Sequence, residues 1–214
     1  MNTSEMIETI ADEVMDDTLT SDRILPLLNR AQLAIAKAIN FPNLITRYSL
    51  TTVPDQPETT MPEDFHKNLF QAYVEGIEVD VMNSRKELFS EYGAYNVIGS
   101  GNIYAVAVEG RNLCYALIPS SAKEVELHYY RKPENMVDSA DSYPELLQDD
   151  PDLDDALMYW VKWKFFQQIE QGIEGQKTDT NYNLGNYQKS LRNVKLSMRE
   201  GESVPDAYSV KQPW

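Results

Sequence analysis

The sequence is poor in the residues that build disulfides and metal sites, with one cysteine and two histidines among 214 residues. Cys114 alone excludes a disulfide within the chain and fits a reducing compartment. It lies in an apolar, strand-like run, so we expect a small buried core residue and not a reactive thiol. His66 and His128 lie far apart in the sequence, with no HxxE, HExxH or CxxC pattern. We expect structural or surface roles for both histidines, and no metal or cofactor.

Basic residues are also scarce. Lysine and arginine number 19 against 34 aspartates and glutamates, which gives a formal net charge of -15. Ordinary nucleic-acid binding needs lysine and arginine to neutralise phosphates, so this composition argues against it. An acidic surface repels DNA, and that repulsion is useful where DNA must slide past without sticking.

Long hydrophobic runs are absent. No run approaches the roughly 18 apolar residues that a membrane helix needs. The first residues, MNTSEMIETIADEV, lack a basic start, an apolar segment and a small-residue cleavage site, so we expect no removed signal peptide. What is present is a hydrophobic content of 42% with 13 tyrosines, which is typical of a globular protein with a real core.

Motifs of known enzymes are missing as well. The segment IGSGN, residues 98–102, lacks both phosphate-loop patterns and precedes a strand instead of opening a helix. There is no GxSxG nucleophile elbow. The acidic run DDPDLDD, residues 149–155, lacks the central glycine and the final glutamate of a calcium loop. We interpret it as the start signal of a helix, because acidic side chains favour the positive N-terminal end.

The apolar residues recur at helical spacing in both terminal parts of the chain. The predicted helices cover residues 4–16 with Ser4 as the N-cap, residues 21–40, residues 150–172 with Gly172 as the end, and residues 181–199. The third is so rich in aromatic residues that we expect it to be the central helix. Residues 201–214 contain two prolines and no periodicity, which indicates an extended tail.

Between residues 44 and 133 the pattern changes to the alternation of β-strands. A hairpin is predicted around Glu75-Gly76, with a helix through residues 65–82 as the competing interpretation, and a short helix follows at Arg85–Tyr92. A second hairpin turns at residues 109–112. The segment KEVELHYYRKP, residues 123–133, is predicted to be its third strand.

These elements predict an α+β fold. A helical bundle body is built from the N- and C-terminal helices, and it carries an inserted antiparallel β subdomain and an extended C-terminal tail. The predicted boundaries are 1–43 and 134–200 for the body, 44–133 for the β subdomain and 201–214 for the tail.

Three segments together resemble a known family. They are TLTSDRILPLLNRAQLAIAKAI, then IYAVAVEGRNLCYALIPSSAKEVELHYYRKPENM, then YPELLQDDPDLDDALMYWVKWKFF. A helix pair, a β insertion with a tyrosine strand that ends in Tyr-Tyr-Arg, and a second helix pair follow in that order. The pattern resembles the head-to-tail adaptor proteins of tailed bacteriophages, also called head-completion or tail tubular A-type proteins.

The resemblance implies a structural virion protein of the neck, made in the host cytoplasm and without catalytic activity. It implies a ring, commonly of about twelve copies, docked beneath the portal protein. The ring would extend the channel for double-stranded DNA, which passes without specific binding, and would attach the tail proteins. No membrane takes part. The tail residues expected at a partner interface are Val204, Pro205, Tyr208, Val210, Pro213 and Trp214.

Two other functions remain open from the residues alone. One is a metal-dependent hydrolase with an unrecognised site, for which residues 149–155 would be the first candidates. The other is a soluble α+β interaction module of a bacterial host. Stabilisation by a divalent metal would favour the first, and monomeric behaviour under every condition would favour the second.

Overall fold

The computed structural model describes residues 1–16, 18–92, 102–146, 150–171 and 177–201. The chain divides into two compact units. The helical unit contains Met1–Ile39 together with the chain from Glu134 onward, and the sheet unit contains Asn40–Pro133. The fold class is therefore α+β, as predicted.

Besides a 3-10 turn at Pro42–Leu44, the described residues form the following α-helices and strands in chain order. They are α1 (Thr3–Val14), α2 (Ser21–Ala38), β1 (Ile45–Thr51), β2 (Glu58–Thr60), β3 (Phe65–Val74), β4 (Ile77–Met82), α3 (Arg85–Tyr92), β5 (Ala105–Glu109), β6 (Asn112–Ala116), β7 (Glu124–Arg131), α4 (Pro151–Ile169) and α5 (Thr178–Gly201).

Helix α4 is the centre of the helical unit, as its aromatic content predicted. It packs mainly on α5 and also contacts α1 and α2. Its buried residues are Leu153, Ala156, Leu157, Met158, Val161, Lys162 and Phe165. Fully burying each of the leucine, valine and phenylalanine side chains contributes about 1.5–3 kcal/mol, so α4 organises the core of this unit.

The cap of α1 differs from the prediction. Asn2 is the N-cap: its side chain accepts a 2.9 Å hydrogen bond from the Glu5 N–H, and the Glu5 carboxylate accepts one of 3.0 Å from the Asn2 N–H. Such a capping box needs a glutamate or glutamine three residues after the cap. Ser4 has isoleucine at that distance, so the predicted N-cap was wrong. The Ser4 hydroxyl donates to Asp138 instead.

Helix α5 begins at Thr178, three residues before the predicted start at residue 181. The carboxylate of Glu170 accepts hydrogen bonds from the backbone N–H groups of Asp179 and Thr180, at 3.2 and 3.3 Å. Donors in the first turn of a helix have no partner within the helix, so this distant acceptor stabilises the earlier start. Helix α4 ends at Ile169, and the predicted end at Gly172 lies outside the described residues.

The sheet unit holds a seven-stranded sheet in the order β1-β7-β3-β4-β5-β6-β2. Strands β3 and β4 form the predicted hairpin, so the competing helix through residues 65–82 is wrong. Its two turn residues, Glu75 and Gly76, have φ angles of 51° and 80°. A two-residue hairpin turn of this kind requires positive φ, which glycine adopts without strain. Strands β5 and β6 form the second predicted hairpin.

The position of β7 was predicted wrongly. It does not extend the β5–β6 hairpin but lies between β1 and β3, antiparallel to both. Leu127 is opposite Tyr48 on one side and opposite Ala72 on the other. Alternation along a strand shows which face is buried, whereas the choice of neighbours depends on residues distant in sequence.

The sheet is mixed, not wholly antiparallel as predicted, because β4 and β5 run parallel. The first half of β4, from Ile77 to Val79, pairs with β3, and the second half, from Asp80 to Met82, pairs with β5. Parallel neighbours need a crossover connection, and the chain segment that includes α3 provides it.

Cys114 is fully buried, as expected, beside Leu88 of α3 and Ala107 of β5. Burial raises the pKa of its thiol to about 11, so the thiol is protonated at neutral pH. A protonated, buried thiol is a poor nucleophile.

Candidate functional site

Strand β7 presents two chemically different faces. Val125, Leu127 and Tyr129 are fully buried in the core of the sheet unit. Glu126, His128 and Tyr130 alternate with them and point to the opposite face, where they are half-buried. The alternation read from the sequence is therefore confirmed, and it places polar and aromatic groups on one side of the sheet.

Four side chains form what we call the aromatic face: Phe70 and Tyr73 of β3 with His128 and Tyr130 of β7. The rings of Phe70 and Tyr130 are 5.7 Å apart between centroids, and those of Tyr73 and His128 are 5.6 Å apart. Phe70 also meets His128 edge-on at 6.3 Å. These are the separations at which aromatic pairs attract each other. Phe70 is 45% exposed, so the face offers an aromatic group to a partner.

An irregularity in β3 brings Phe70 to this face. Lys67 is opposite Tyr130 and Gln71 is opposite His128, so four steps along β3 match only two along β7. Asn68 lies within this irregular stretch and has a φ of 49°. A bulge bends a strand and redirects its side chains. The ring of Phe70 consequently reaches both His128 and Tyr130.

Charged groups flank the aromatic face. Glu126 contacts the guanidinium of Arg47 at 2.5 Å and the Nε2 atom of His128 at 2.9 Å. The hydrogen bond with His128 and the contact with Arg47 lower the pKa of the Glu126 carboxyl. Lys67 places its ammonium 5.7 Å from the centre of the Tyr130 ring. Aromatic and arginine side chains are enriched in protein interfaces, which makes this face the candidate binding surface.

A cleft of about 560 Å³ lies beside the aromatic face; Phe70 of that face and the flanking Lys67 both line it. Its other described lining residues are Phe65, Asn68, Leu69, Val81, Met82, Asn83 and Val108. Lys67 is the one ionisable side chain among the described lining residues. Acid–base or nucleophilic catalysis needs several titratable groups that converge on one point. The chemistry that the cleft offers is apolar contact and hydrogen bonding.

Asp150 and Asp154, two of the described acidic residues at the start of α4, have structural partners. Asp150 caps the helix by accepting hydrogen bonds from Asp152 and Leu153, at 2.9 and 3.3 Å, as the predicted start signal requires. Asp154 contacts the N-terminal amine at 2.8 Å, while burial raises the pKa of its carboxyl. Within the described part of the chain, no three His, Cys, Asp or Glu side chains are grouped closely enough to hold a metal ion. Asp149 lies outside that part.

The predicted interface residues of the tail all lie outside the described residues, and their role stays a prediction. They are Val204, Pro205, Tyr208, Val210, Pro213 and Trp214. The aromatic face was not predicted from the sequence, although the segment HYYR in β7, residues 128–131, indicated half of it. The other half of the face depends on the bulge in β3, which no local pattern announces.

Comparison with known proteins bears on the function. No helix in the described ranges combines the length and the apolar character needed to cross a membrane. A search of curated proteins finds no match. The family model described as SU10 adaptor protein matches residues 1–207, and this match confirms the resemblance drawn from the residues. The chain belongs to the SU10 adaptor protein family, whose members are phage head-to-tail adaptors.

Proposed function

We propose that this phage structural adaptor assembles as a ring below the portal, extends the DNA channel and attaches the tail, without catalytic turnover. The observation that carries the proposal is the family match over residues 1–207. A ring of about a dozen copies is what the resemblance to head-to-tail adaptors implies, and a heterologous interface that closes on itself would produce such a ring.

The aromatic face is the surface we assign to the tail. Phe70 is 45% exposed, Tyr73, His128 and Tyr130 are half-buried, and Arg47 and Lys67 lie beside them. A binding hot spot typically combines such rings with arginine in a patch that a partner can desolvate. The cleft next to Phe70 gives a partner side chain a place to insert.

The net charge of -15 supports the passage of DNA through the channel. A wall with many exposed lysines would bind phosphates through counterion release and slow the moving duplex. An acidic wall repels the phosphates, so DNA slides without specific binding.

The portal is the partner we assign to the C-terminal segment. Residues 202–214 follow α5 and contain Tyr208 and Trp214, two aromatic residues of the kind that anchor interfaces. The apolar residues of the same segment that we expect to contact the portal are Val204, Pro205, Val210 and Pro213.

The test is reconstitution with DNA-filled phage heads that lack the adaptor. Purified protein should bind the heads as a closed ring and make them competent to receive tails. Native mass, measured over a wide concentration range with and without isolated portal, gives the number of copies. A protein that stays monomeric with portal, and that leaves heads unable to accept tails, would contradict the proposal.

A further inference from the structure

Strand β1 has a free edge. It is the outermost strand of the sheet, and among the described residues only β7 pairs with it. The N–H of Thr52, just after β1, donates a 2.9 Å hydrogen bond to the carbonyl of Lys123 and continues the same register. Backbone groups alternate in direction along an antiparallel strand. The N–H and C=O groups of Arg47, Ser49 and Thr51 therefore point away from the sheet, whereas the Ile45 N–H donates to the carbonyl of Pro42.

Apart from the single charge of Arg47, the free edge lacks the usual protection of an edge strand. Natural proteins block exposed edges with short strands, proline, bulges or charged residues, because an open edge pairs with other chains. Strand β1 has seven residues, no proline and an unbroken register with β7. The opposite edge of the sheet, β2, has only three residues and lies between Pro57 and Pro62. One edge is closed to pairing and the other is open.

The charge of the segment around the free edge is also unusual for this acidic chain. Residues 38–54 contain one charged residue, Arg47, and no acidic residue, although the chain has 34. The Arg47 side chain is 69% exposed, and Ile45 and Tyr48 are 44% and 45% exposed. An added strand would meet the apolar surface of Tyr48 on one face of the sheet and the guanidinium of Arg47 on the other.

We propose that β1 receives an extended strand of a tail protein by β-augmentation, in which backbone hydrogen bonds join the two chains. The incoming strand carries apolar residues at alternate positions and an acidic residue opposite Arg47. This inference rests on the proposed function and specifies how the adaptor attaches the tail. A second copy is a poorer occupant, because β1 paired with an identical β1 makes a twofold contact that closes a dimer and not the proposed ring, and β2 offers only three residues.

Hydrogen exchange of the backbone amides is the first test. The samples are the purified protein, the protein bound to DNA-filled heads, and the same heads after addition of tails released from virions. The amides of Arg47, Ser49 and Thr51 should become protected only when tails are added, whereas those of Glu58 and Thr60 on the opposite edge should not change. Protection of β1 before tails are added would assign the edge to a second copy or to the portal and would overturn the proposal.

A proline substitution gives the second test. Ser49→Pro removes an N–H that points outward, so it breaks no bond to β7, and proline is tolerated on edge strands. The loss of this donor and the bulk of the ring should reduce tail attachment about tenfold or more. Ser49→Ala keeps the donor, and Thr60→Pro removes a donor from the other edge; both should attach tails normally.

The outcomes separate this inference from the proposed function. Ser49→Pro protein that folds, binds heads and fails to attach tails supports β-augmentation. Ser49→Pro protein that attaches tails as well as the unchanged protein overturns it and leaves the adaptor function intact. If Ser49→Pro does not fold, the exchange pattern of the unchanged protein decides. Failure of the unchanged protein to bind heads would instead contradict the proposed function.

Discussion

The phenol of Tyr129 donates a 2.7 Å hydrogen bond to the carboxylate of Asp64. Tyr129 is fully buried in β7, whereas Asp64 lies in the segment that leads into β3 and is half-buried. The bond thus ties the residue just before β3 to the C-terminal half of β7. Burial, followed by the bond to Asp64, raises the pKa of Tyr129, so the phenol remains a donor throughout the physiological range.

Tyr129→Phe should lower the free energy of unfolding by about 1 kcal/mol, because it removes this bond and leaves Asp64 accessible to water. Tyr129→Ala should cost about 3–5 kcal/mol, since it opens a cavity in the core. Urea denaturation of both variants gives the two values. Equal losses would show that the hydrogen bond, and not packing, dominates at this position.

Lys162 is buried in α4 and donates to Glu13 of α1. Glu13→Ala should destabilise the protein by about 2 kcal/mol, because a buried ammonium loses its partner, although the exposure of Glu13 lets water replace part of the bond. Lys162→Met should cost less, since it removes the charge and keeps the apolar stem. Glu8→Ala, on the exposed side of α1, is the control. Thermal unfolding of the three variants tests the order, and a greater loss for Lys162→Met would contradict it.

The lowered pKa of Glu126 predicts a dependence of stability on pH. The stabilisation that the Glu126 carboxylate gives the folded state is complete at pH values above 4.5, the ordinary pKa of a glutamate. It disappears as the pH falls through the lower pKa of Glu126 in the folded state. Glu126→Gln should therefore be less stable than the unchanged protein at pH 7 and approach it below about pH 4. Denaturation curves from pH 7 to pH 3 measure this, with the exposed Glu124→Gln as control. A constant difference at every pH would mean that the carboxylate charge is not responsible.

Two glycines should respond oppositely to alanine. Gly76 has a φ of 80° in the β3–β4 turn, so Gly76→Ala should destabilise the protein by about 1 kcal/mol even though the space around it is open. Gly185 lies inside α5, and apart from its chain neighbours and the nearby backbone of its own helix no atom lies within 4 Å of an added Cβ. Gly185→Ala should stabilise the protein by about 0.5–1 kcal/mol. Calorimetric melting temperatures should move in opposite directions, and shifts of the same sign would refute the argument.

The aromatic face should matter for attachment more than for folding. Phe70→Ala removes an exposed ring and should weaken binding of tails about thirtyfold, equivalent to a hot-spot loss of about 2 kcal/mol. Ile77→Ala removes another exposed apolar side chain, 71% exposed in the hairpin turn region, and should have little effect. Attachment of tails to adaptor-loaded heads measures both. Equal effects would argue against a specific surface at Phe70.

Much of the fold follows from local patterns. The alternation of Val125, Leu127 and Tyr129 predicts the buried face of β7, and Glu75-Gly76 predicts a turn because glycine adopts positive φ. Asp150 before Pro151 predicts the start of α4. In each case neighbouring residues alone determine the structure.

What the sequence did not predict depends on residues that are distant in the chain. The place of β7 between β1 and β3, and the parallel pairing of β4 with β5, are decided by how whole strands fit together. The aromatic face combines two strands across a bulge at Asn68, where the φ of a single residue redirects Phe70. The cap at Asn2 was not predicted, because Ser4 has the residue type of an N-cap and only Glu5, three positions after Asn2, distinguishes the two candidates.

The division of β4 between two neighbours has a mechanical consequence. Seven residue pairs join β1 to β7, but only three join β3 to β4 and three join β4 to β5. A pulling force applied at β1 and resisted at β6 must pass through the six residues Ile77–Met82. Under tension, the strands on either side of β4 should separate there first, so β4 is the point at which the sheet yields.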